Sequence, residues 1–145
     1  MSKVSLQDVT LENTEACLGL SLPEEQLAFI PDVASSLAMA ANYPDARPLA
    51  ICAGSGEVVG FGMYGADRET GHWKLFRLMI DEKHQGNGLG IAAAREIIAI
   101  LKQEHSAGLI LVAYHESNTV ARDMYSKLGF EEYGQVGSKI LAKLA

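Results

Sequence analysis

The sequence has little that would support chemistry based on cysteine or on a bound metal. Its 145 residues include only two cysteines, Cys17 in a helix-like pattern and Cys52 in a strand-like one. Because the two are not at a paired spacing, we expect both to be reduced thiols buried as small apolar side chains. The four histidines are scattered, and no pair has the spacing of a zinc ligand set, so no metal is expected.

The sequence is also poor in positive charge and in long apolar runs. It has 12 lysines and arginines against 18 aspartates and glutamates, a formal net charge of −6. Non-specific nucleic-acid binding needs basic residues to neutralise phosphates, so no nucleic-acid partner is expected, whereas a cationic partner is mildly favoured. Charge or glycine interrupts every apolar run before it reaches the length of a membrane span, and the N-terminus lacks a signal-peptide pattern. We therefore expect a cytoplasmic protein without a membrane partner.

What the sequence does contain is a regular succession of strand and helix patterns, which alternation and helical periodicity distinguish. The predicted strands are Val4–Thr10, Leu49–Ala53, Val58–Tyr64, His72–Ile80, Leu109–Tyr114, Phe130–Tyr133 and Ser138–Leu144. The predicted helices are Leu11–Leu22, Asp32–Tyr43, Leu89–Glu104 and Asn118–Leu128. The order β-α-α-β-β-β-α-β-α-β-β predicts an α/β (α+β) fold in a single domain over residues 1–145. Hairpins imply antiparallel pairs and the crossover helix at Leu89–Glu104 implies a parallel pair, so the sheet should be mixed.

A glycine-rich turn, Gln85-Gly86-Asn87-Gly88-Leu89-Gly90, separates a predicted strand from the longest predicted helix. Glycine permits positive φ and a close approach of the backbone, so successive N–H groups can point into one concavity. The N-terminus of the following helix adds partial positive charge. The turn is therefore a candidate anion site despite the negative net charge.

Three interpretations of this turn compete. A Walker phosphate loop requires Gly-Lys-Ser/Thr, and the sequence contains no Gly-Lys pair. A dinucleotide-binding fingerprint is formally present as Gly88-x-Gly90-x-x-Ala93. However, the segment Asp81–Gln85 separates the strand from the first glycine, whereas a Rossmann turn follows its strand immediately. A glycine-rich turn without a ligand is compatible with the local sequence.

Two longer motifs resemble those of the GNAT family of N-acetyltransferases. Gln85-x-x-Gly88-x-Gly90, preceded by Arg77-Leu78-Met79-Ile80-Asp81, resembles motif A of that family. Asn118-x-x-Ala121-x-x-x-Tyr125-x-x-x-Gly129-Phe130 resembles its C-terminal motif. The resemblance covers residues 47–145 well and residues 1–46 more loosely. It implies a GNAT-like fold, with a mixed, mostly antiparallel sheet and helices on both faces, and an acetyl-CoA-dependent N-acetyltransferase without a metal.

The resemblance also assigns roles to individual residues. The pyrophosphate of acetyl-CoA is expected on backbone amides of Gln85, Gly86, Asn87, Gly88, Leu89, Gly90 and Ile91. The pantetheine arm is expected to pair like an extra strand with the main chain of Leu78, Met79 and Ile80, and to hydrogen-bond Asn118. Tyr125 is expected to be the general acid that protonates the leaving thiolate, since a phenol is protonated at pH 7. Its helical spacing alone favours a core aromatic.

The acceptor amine must be neutral if it is to attack the thioester directly, through a tetrahedral intermediate. An alkylamine is the free base only about once in 2,500 molecules at pH 7, so a base or a water chain must take its proton. Asp81, His115 and Glu116 end the two central predicted strands, but the sequence assigns none of them as the base.

Further segments resemble the bacterial spermine/spermidine or diamine N-acetyltransferases of that family. These segments are Glu25–Ile30, Ser36–Ala40, Val59–Tyr64 and Trp73-x-x-x-Arg77. The resemblance implies a cationic small-molecule amine, a polyamine, as substrate. Glu24, Glu25 and Asp32 could supply anions for it, or could equally form a solvated helix face. Another amine (a protein N-terminus or lysine, an amino acid, an aminoglycoside), a non-catalytic acyl-CoA-binding module and a homodimer stay open.

Overall fold

A computed structural model describes residues 3–145, which form a seven-stranded mixed sheet with five α-helices. The strands are β1 (Val4–Asp8), β2 (Arg47–Ala53), β3 (Val58–Ala66), β4 (Trp73–Ile80), β5 (Ile110–His115), β6 (Glu131–Val136) and β7 (Lys139–Leu144). The helices are α1 (Thr14–Leu18), α2 (Glu24–Leu27), α3 (Val33–Ala41), α4 (Leu89–Glu104) and α5 (Thr119–Lys127), with a 3₁₀ turn at Glu82–His84. The strand order is β1-β2-β3-β4-β5-β7-β6. The pairing of β4 with β5 is parallel, and the other neighbouring strands pair antiparallel.

The strands direct alternate side chains into two apolar layers, one on each face of the sheet. On one face, Leu49 and Val112 pack with Ile97 and Leu101 of α4 and with Tyr125 of α5. The opposite face packs against α1 and α3, in a layer of Cys17, Leu22, Val33, Ala50, Cys52, Phe61, Met63 and Met79. The expectation of a mixed, mostly antiparallel sheet with helices on both faces is therefore confirmed. Both cysteines are buried and unpaired, as expected.

The longest helix, α4, begins and ends at the predicted residues because its sequence is clearly amphipathic. Its buried side chains are Ala93, Ala94, Ile97, Ile98 and Leu101, which recur at three- and four-residue spacing. At 16 residues it is the longest helix in the described part of the chain. No helix formed by residues 3–145 is long and apolar enough to cross a bilayer.

The predicted helix over Leu11–Leu22 is wrong, and a helix was missed after it. The helix α1 covers only Thr14–Leu18, and α2 follows as a separate helix from Glu24. Gly19 caps the end of α1 by donating its N–H to the carbonyl of Glu15 at 3.0 Å. Pro23, with φ −56°, caps the start of α2, a position that suits a residue without a backbone N–H. Three helices, rather than two, therefore precede β2.

The last hairpin is tighter than predicted. A turn over Gly134–Gly137 was expected, but β6 continues to Val136 and only Gly137 and Ser138 form the turn. Gly134 is part of the ladder, opposite Leu141, next to a bulge that begins at Glu132. The positive φ that a two-residue hairpin turn requires is found at Gly137, at 58°.

The parallel pairing of β4 with β5 is short, and this opens the centre of the sheet. The two strands pair only at Trp73–Ile110 and Lys74–Leu111. Just beyond that point β4 contains a bulge, since Leu75 and Arg77 face consecutive residues of β3. A bulge bends its strand and increases the local twist. From Leu75 to Ile80, the edge of β4 that faces β5 therefore has no strand partner among the described residues.

One substitution tests how closely β3 and β4 approach beside this gap. A Cβ on Gly60 would lie 2.5 Å from the carbonyl oxygen of Met79 and 2.8 Å from Cδ1 of Ile80. We expect Gly60→Ala to lower the free energy of unfolding by about 1–3 kcal/mol, because the main chain of β4 must move to admit a methyl group. Urea unfolding measures the change. The matched control is Gly54→Ala, where the added Cβ meets no atom within 4 Å; equal stability of the two variants would contradict the prediction.

Candidate active site

A cleft of about 590 Å³ lies where β4 and β5 diverge. It is lined by the carboxyl end of β4, the glycine turn, the start of α4 and one side of α5. Gln26 of α2 and Ile30, which follows α2, line it from the other helical layer, so the cleft passes through the gap in the sheet. Every residue predicted to bind the cofactor lines this cleft except Asn87.

The glycine turn presents backbone rather than side chains to the cleft. Gly86 and Gly88 have φ values of 83° and 76°, in the left-handed region that favours glycine. A Cβ on Gly86 would meet no atom within 4 Å, which leaves open space in front of this peptide. Gly88 is the N-cap of α4, and no side chain caps that helix. The first N–H groups of α4 are thus available to an anion in the cleft.

Three contacts that the sequence did not predict hold the turn in place. The side-chain nitrogen Nε2 of Gln85 donates to the backbone carbonyl of Ile80 at 2.8 Å. The side-chain amides of Gln85 and Gln26 also exchange two hydrogen bonds, of 3.1 and 3.2 Å. Lys3 donates from Nζ to the carbonyl of Asn87 at 3.1 Å, which brings a positive charge beside the turn. The Gln26–Gln85 and Lys3–Asn87 contacts join residues more than 50 positions apart, so no local sequence pattern could have revealed them.

Asn118 has one hydrogen-bonding group occupied and one free. It is the N-cap of α5, and its Oδ1 accepts a hydrogen bond from the backbone N–H of Ala121 at 3.3 Å. Its side-chain nitrogen has no partner among residues 3–145. Because no fully buried side-chain N or O atom in that range lacks a partner, this nitrogen is exposed to solvent, and Asn118 is a lining residue of the cleft. Asn118 therefore combines a structural cap with a free donor.

Tyr125 lies in the core beside the cleft, with its ring buried and its hydroxyl group free. The ring stacks on Tyr114 at 5.7 Å and meets Phe130 edge-on at 5.3 Å. The residue is only 6% exposed, and its hydroxyl has no hydrogen-bond partner among the described residues. By the same reasoning as for Asn118, that hydroxyl reaches solvent. Burial, and then the neighbouring Tyr114, raise the pKa of Tyr125 above its ordinary value, so the phenol stays protonated at neutral and mildly alkaline pH.

The structure gives the three candidate bases other tasks. Asp81 is 4% exposed and accepts hydrogen bonds from the backbone N–H groups of Ser21 at 2.8 Å and Lys83 at 3.2 Å. Glu116 accepts a 2.6 Å hydrogen bond from the side chain of Gln135. Asp81 is therefore a structural residue of the loop after β4, and neither carboxylate lines the cleft.

His115, the third candidate, lies at the gap with its acceptor nitrogen already in use. Its Nδ1 accepts a hydrogen bond from the N–H of Ser117 at 3.0 Å. A neutral ring in this arrangement carries its proton on Nε2 and has no free acceptor. The ring also stacks on Phe29, between α2 and α3, at 4.8 Å.

The acidic residues considered for a polycation are not gathered in the cleft. Glu24 and Glu25 are exposed and do not line it. Asp32 caps α3, accepting from the N–H of Ser35 at 2.7 Å, and this hydrogen bond lowers its pKa. It lines a second cavity of about 650 Å³, which shares Ile30 and Met79 with the first. Among residues 3–145, no group of three or more His, Cys, Asp or Glu side chains is arranged to hold a metal ion.

Comparison with known proteins adds independent information. The sequence profile of the Acetyltransferase (GNAT) family matches residues 12–130. A spermine/spermidine N(1)-acetyltransferase from Bacillus subtilis (strain 168) is 30% identical over 149 aligned positions, which cover 97% of each chain.

Two solved structures share the fold at low sequence identity. An acetyltransferase from Thermus thermophilus superposes with a TM-score of 0.73 at 22% identity, over 99% of both chains. A PaiA N-acetyltransferase from Thermoplasma acidophilum, in complex with coenzyme A, also superposes with a TM-score of 0.73. It is 16% identical, over 99% of this chain and 98% of its own.

Proposed function

The chain belongs to the GNAT acetyltransferase family, and we propose that it moves the acetyl group of acetyl-CoA to a primary amine of a polyamine such as spermidine or spermine. The observation that carries the choice of acceptor is the 30% identity, over nearly the whole chain, to a spermine/spermidine N(1)-acetyltransferase. That the protein is an acetyltransferase follows from the family. The identity of the amine and the roles of individual residues are the proposal.

The residues of the cleft fit acetyl-CoA. Gly86 leaves open space for a pyrophosphate, Gly88 begins a helix whose first N–H groups have no side-chain cap, and Lys3 beside Gly88 adds a positive charge. The free edge of β4 at Leu78–Ile80 offers main-chain groups that match the amides of a pantetheine arm. Asn118 adds a donor on the other side of the cleft. When bound there, acetyl-CoA supplies an acyl thioester whose carbonyl carbon accepts the amine and whose thiol is released.

Tyr125 is proposed to deliver the proton that the released thiol needs. Its ring cannot move far, because Tyr114 and Phe130 enclose it, so the hydroxyl is held at one place at the margin of the core. No protein group competes for that hydroxyl among the described residues. The raised pKa keeps it in the acid form, as a proton donor requires.

The first prediction concerns the glycine turn. Replacing Gly88 with valine forces a branched side chain into a left-handed backbone conformation and places it in front of the turn. We expect the affinity for acetyl-CoA, measured by calorimetry, to fall by about tenfold or more, a change of about 1.4 kcal/mol.

The matched control for that variant is Gly71→Val in the β3–β4 turn. Gly71 has the same kind of backbone, with φ 77° and open space around it, so the cost of strain is similar. Folded Gly71→Val should bind acetyl-CoA as the wild type does. If folded Gly88→Val also bound normally, the turn would not be the pyrophosphate site.

The second prediction concerns Tyr125. Tyr125→Phe keeps the ring in the aromatic stack and removes only the hydroxyl, so the single-turnover rate of acetyl transfer should fall by roughly 100-fold with little change in KM. Tyr114→Phe is the control, because it removes a neighbouring hydroxyl that is bonded to Glu132 at 2.7 Å. A normal rate in Tyr125→Phe would leave this residue with a packing role alone.

The third prediction tests the substrate. Spermidine, putrescine, butylamine and a peptide with a free N-terminus should be compared at equal concentration, with release of CoA thiol as the measurement. Spermidine should have the highest kcat/KM. A far higher value for the peptide would refute the polyamine proposal and leave the acetyltransferase intact. Binding of acetyl-CoA without turnover of any amine would indicate a non-catalytic module.

A further inference from the structure

Arg77 is a half-buried arginine without a carboxylate partner. Its guanidinium donates to Oγ of Ser36 at 3.2 Å, to the carbonyl of Phe76 at 2.9 Å and to Sδ of Met39 at 3.7 Å. All three acceptors are neutral. The ion pairs among residues 3–145 are Arg47–Asp8, His84–Glu57 and Arg122–Glu132, so none includes Arg77. No carboxylate therefore neutralises this guanidinium at contact distance.

Two lysines on neighbouring strands add to that field on the same face of the sheet. Arg77 is paired with Met63 and contacts α3, which places it on the α1–α3 face. His115, stacked on Phe29, faces the same side, and Lys139 is its ladder partner on β7. Lys74 is paired with Leu111, which lies an even number of residues before His115 on β5. Arg77, Lys74 and Lys139 thus form a positive cluster around the gap between β4 and β5.

Few other titratable groups face this cluster. His115 lies at the end of β5 with its Nδ1 occupied. Where α3 packs on Arg77 it contributes Ser36 and Met39, and its carboxylate, Asp32, caps the start of that helix one turn before Ser36 and is bonded to the N–H of Ser35. β3 contributes the neutral Met63. Glu116, which follows His115, is exposed and bonded to Gln135.

The acceptor amine has to approach through this cluster. The cofactor cleft is lined by the glycine turn, α4 and α5, so acetyl-CoA fills the α4–α5 side of the gap. An amine that approaches the thioester from the α1–α3 side then passes the face of the sheet on which Arg77 and His115 lie. The chain thus brings a molecule that is an ammonium ion in water into a region of uncompensated positive charge.

We propose that Arg77, supported by Lys74 and Lys139, drives the bound primary ammonium to release its proton, so that the reaction needs no dedicated general base. This inference rests on the proposed amine acetylation. The ammonium R–NH₃⁺ gives one proton to solvent water. The nitrogen lone pair of R–NH₂ then adds to the thioester carbonyl to form the C–N bond, and collapse of this tetrahedral intermediate breaks the C–S bond. Tyr125 protonates the thiolate, and the nitrogen gives up its second proton to restore the phenol. The products are R–NH–CO–CH₃ and CoA–SH.

The side-chain amine of Lys139 lies in the electric field of Arg77 and Lys74. The pKa of Lys139 is lowered, first by partial desolvation of its amine and then by the positive charges of Arg77 and Lys74. An acceptor amine between the same residues experiences the same two effects. Both favour the neutral form, because a positive neighbour and a poorly solvated site each destabilise the ammonium ion.

The test is the pH dependence of acetyl transfer to spermidine in single-turnover experiments with Arg77→Met. Without the guanidinium, the bound ammonium holds its proton more tightly. The rising limb of the plot of rate against pH should therefore shift to higher pH by roughly one unit. The rate at pH 7 should fall about tenfold and recover by pH 10. Because the ammonium is no longer repelled, KM at pH 7 should fall while kcat falls. Arg77→Lys keeps a positive charge and should keep most of the wild-type profile.

The control is Arg68→Met, which removes an equal charge from an arginine that lies over Tyr43 at 4.2 Å, in the β3–β4 turn. Its profile should match the wild type. A pH-independent loss of rate in Arg77→Met would show a structural role and overturn the inference. A second outcome would also overturn it. If the wild type preferred β-alanine to spermidine and Arg77→Met lost that preference, the cluster would be a binding site for the carboxylate of the substrate. Failure of the wild type to acetylate any primary amine would refute the proposed function itself.

Discussion

The site depends on one constraint, which is that β4 and β5 pair over only two residues before they separate. A parallel pair that continued to the ends of both strands would fill the sheet with backbone hydrogen bonds and leave no cleft. The bulge in β4 lies just past the last paired residue, and it turns the rest of that strand away from β5. The edge of Leu78–Ile80 is consequently free, and the glycine turn that follows it lies at the wide end of the gap. The gap also gives the two helical layers access to each other, since Ile30 and Gln26 reach the cleft from one side and α5 from the other.

The charges of the protein are distributed differently from its net charge. The chain carries −6 overall, yet basic groups lie on both sides of the gap, with Lys3 at the glycine turn and Arg77, Lys74 and Lys139 on the opposite face, while Asp123 is an acidic residue of the cleft wall. Two other carboxylates nearby have structural partners, since Asp81 accepts from the backbone of a loop and Asp32 caps a helix. The net charge therefore does not describe the local charge around the gap. Its effect on the approach of a cation is weakened by salt within about 10 Å, whereas the groups at the gap act at contact distance.

The sequence was sufficient to predict those features of the fold and the site that depend on a local pattern of residues. The amphipathic stripe of α4 placed that helix at its observed residues, and the glycine turn and the Asn118–Phe130 motif predicted the walls of the cleft. Prediction from the sequence failed where the bounds of a helix depend on a weak apolar pattern. This is the case for α1 and α2, in which Cys17 is the one buried residue. The sequence also could not show contacts between distant segments. The Gln26–Gln85 pair, the Phe29–His115 stack and the Arg77–Ser36 bond each join the N-terminal helices to the core. Each requires the tertiary fold, and together they define the acceptor side.

The same physical effect acts on both proton transfers, with opposite chemical results. Removal from water disfavours whichever form of a group is charged. For Tyr125 the charged form is the phenolate, so burial between Tyr114 and Phe130 keeps the proton on. For an ammonium ion at the gap the charged form is the acid. Partial burial therefore lowers the pKa of the amine and favours loss of the proton, and the positive charge of Arg77 adds to that effect. In the proposed reaction, a thioester bound between the two apolar layers would therefore meet a protonated donor and an unprotonated nucleophile at once. The proposal accordingly requires no base from Asp81, His115 or Glu116, each of which already accepts a hydrogen bond.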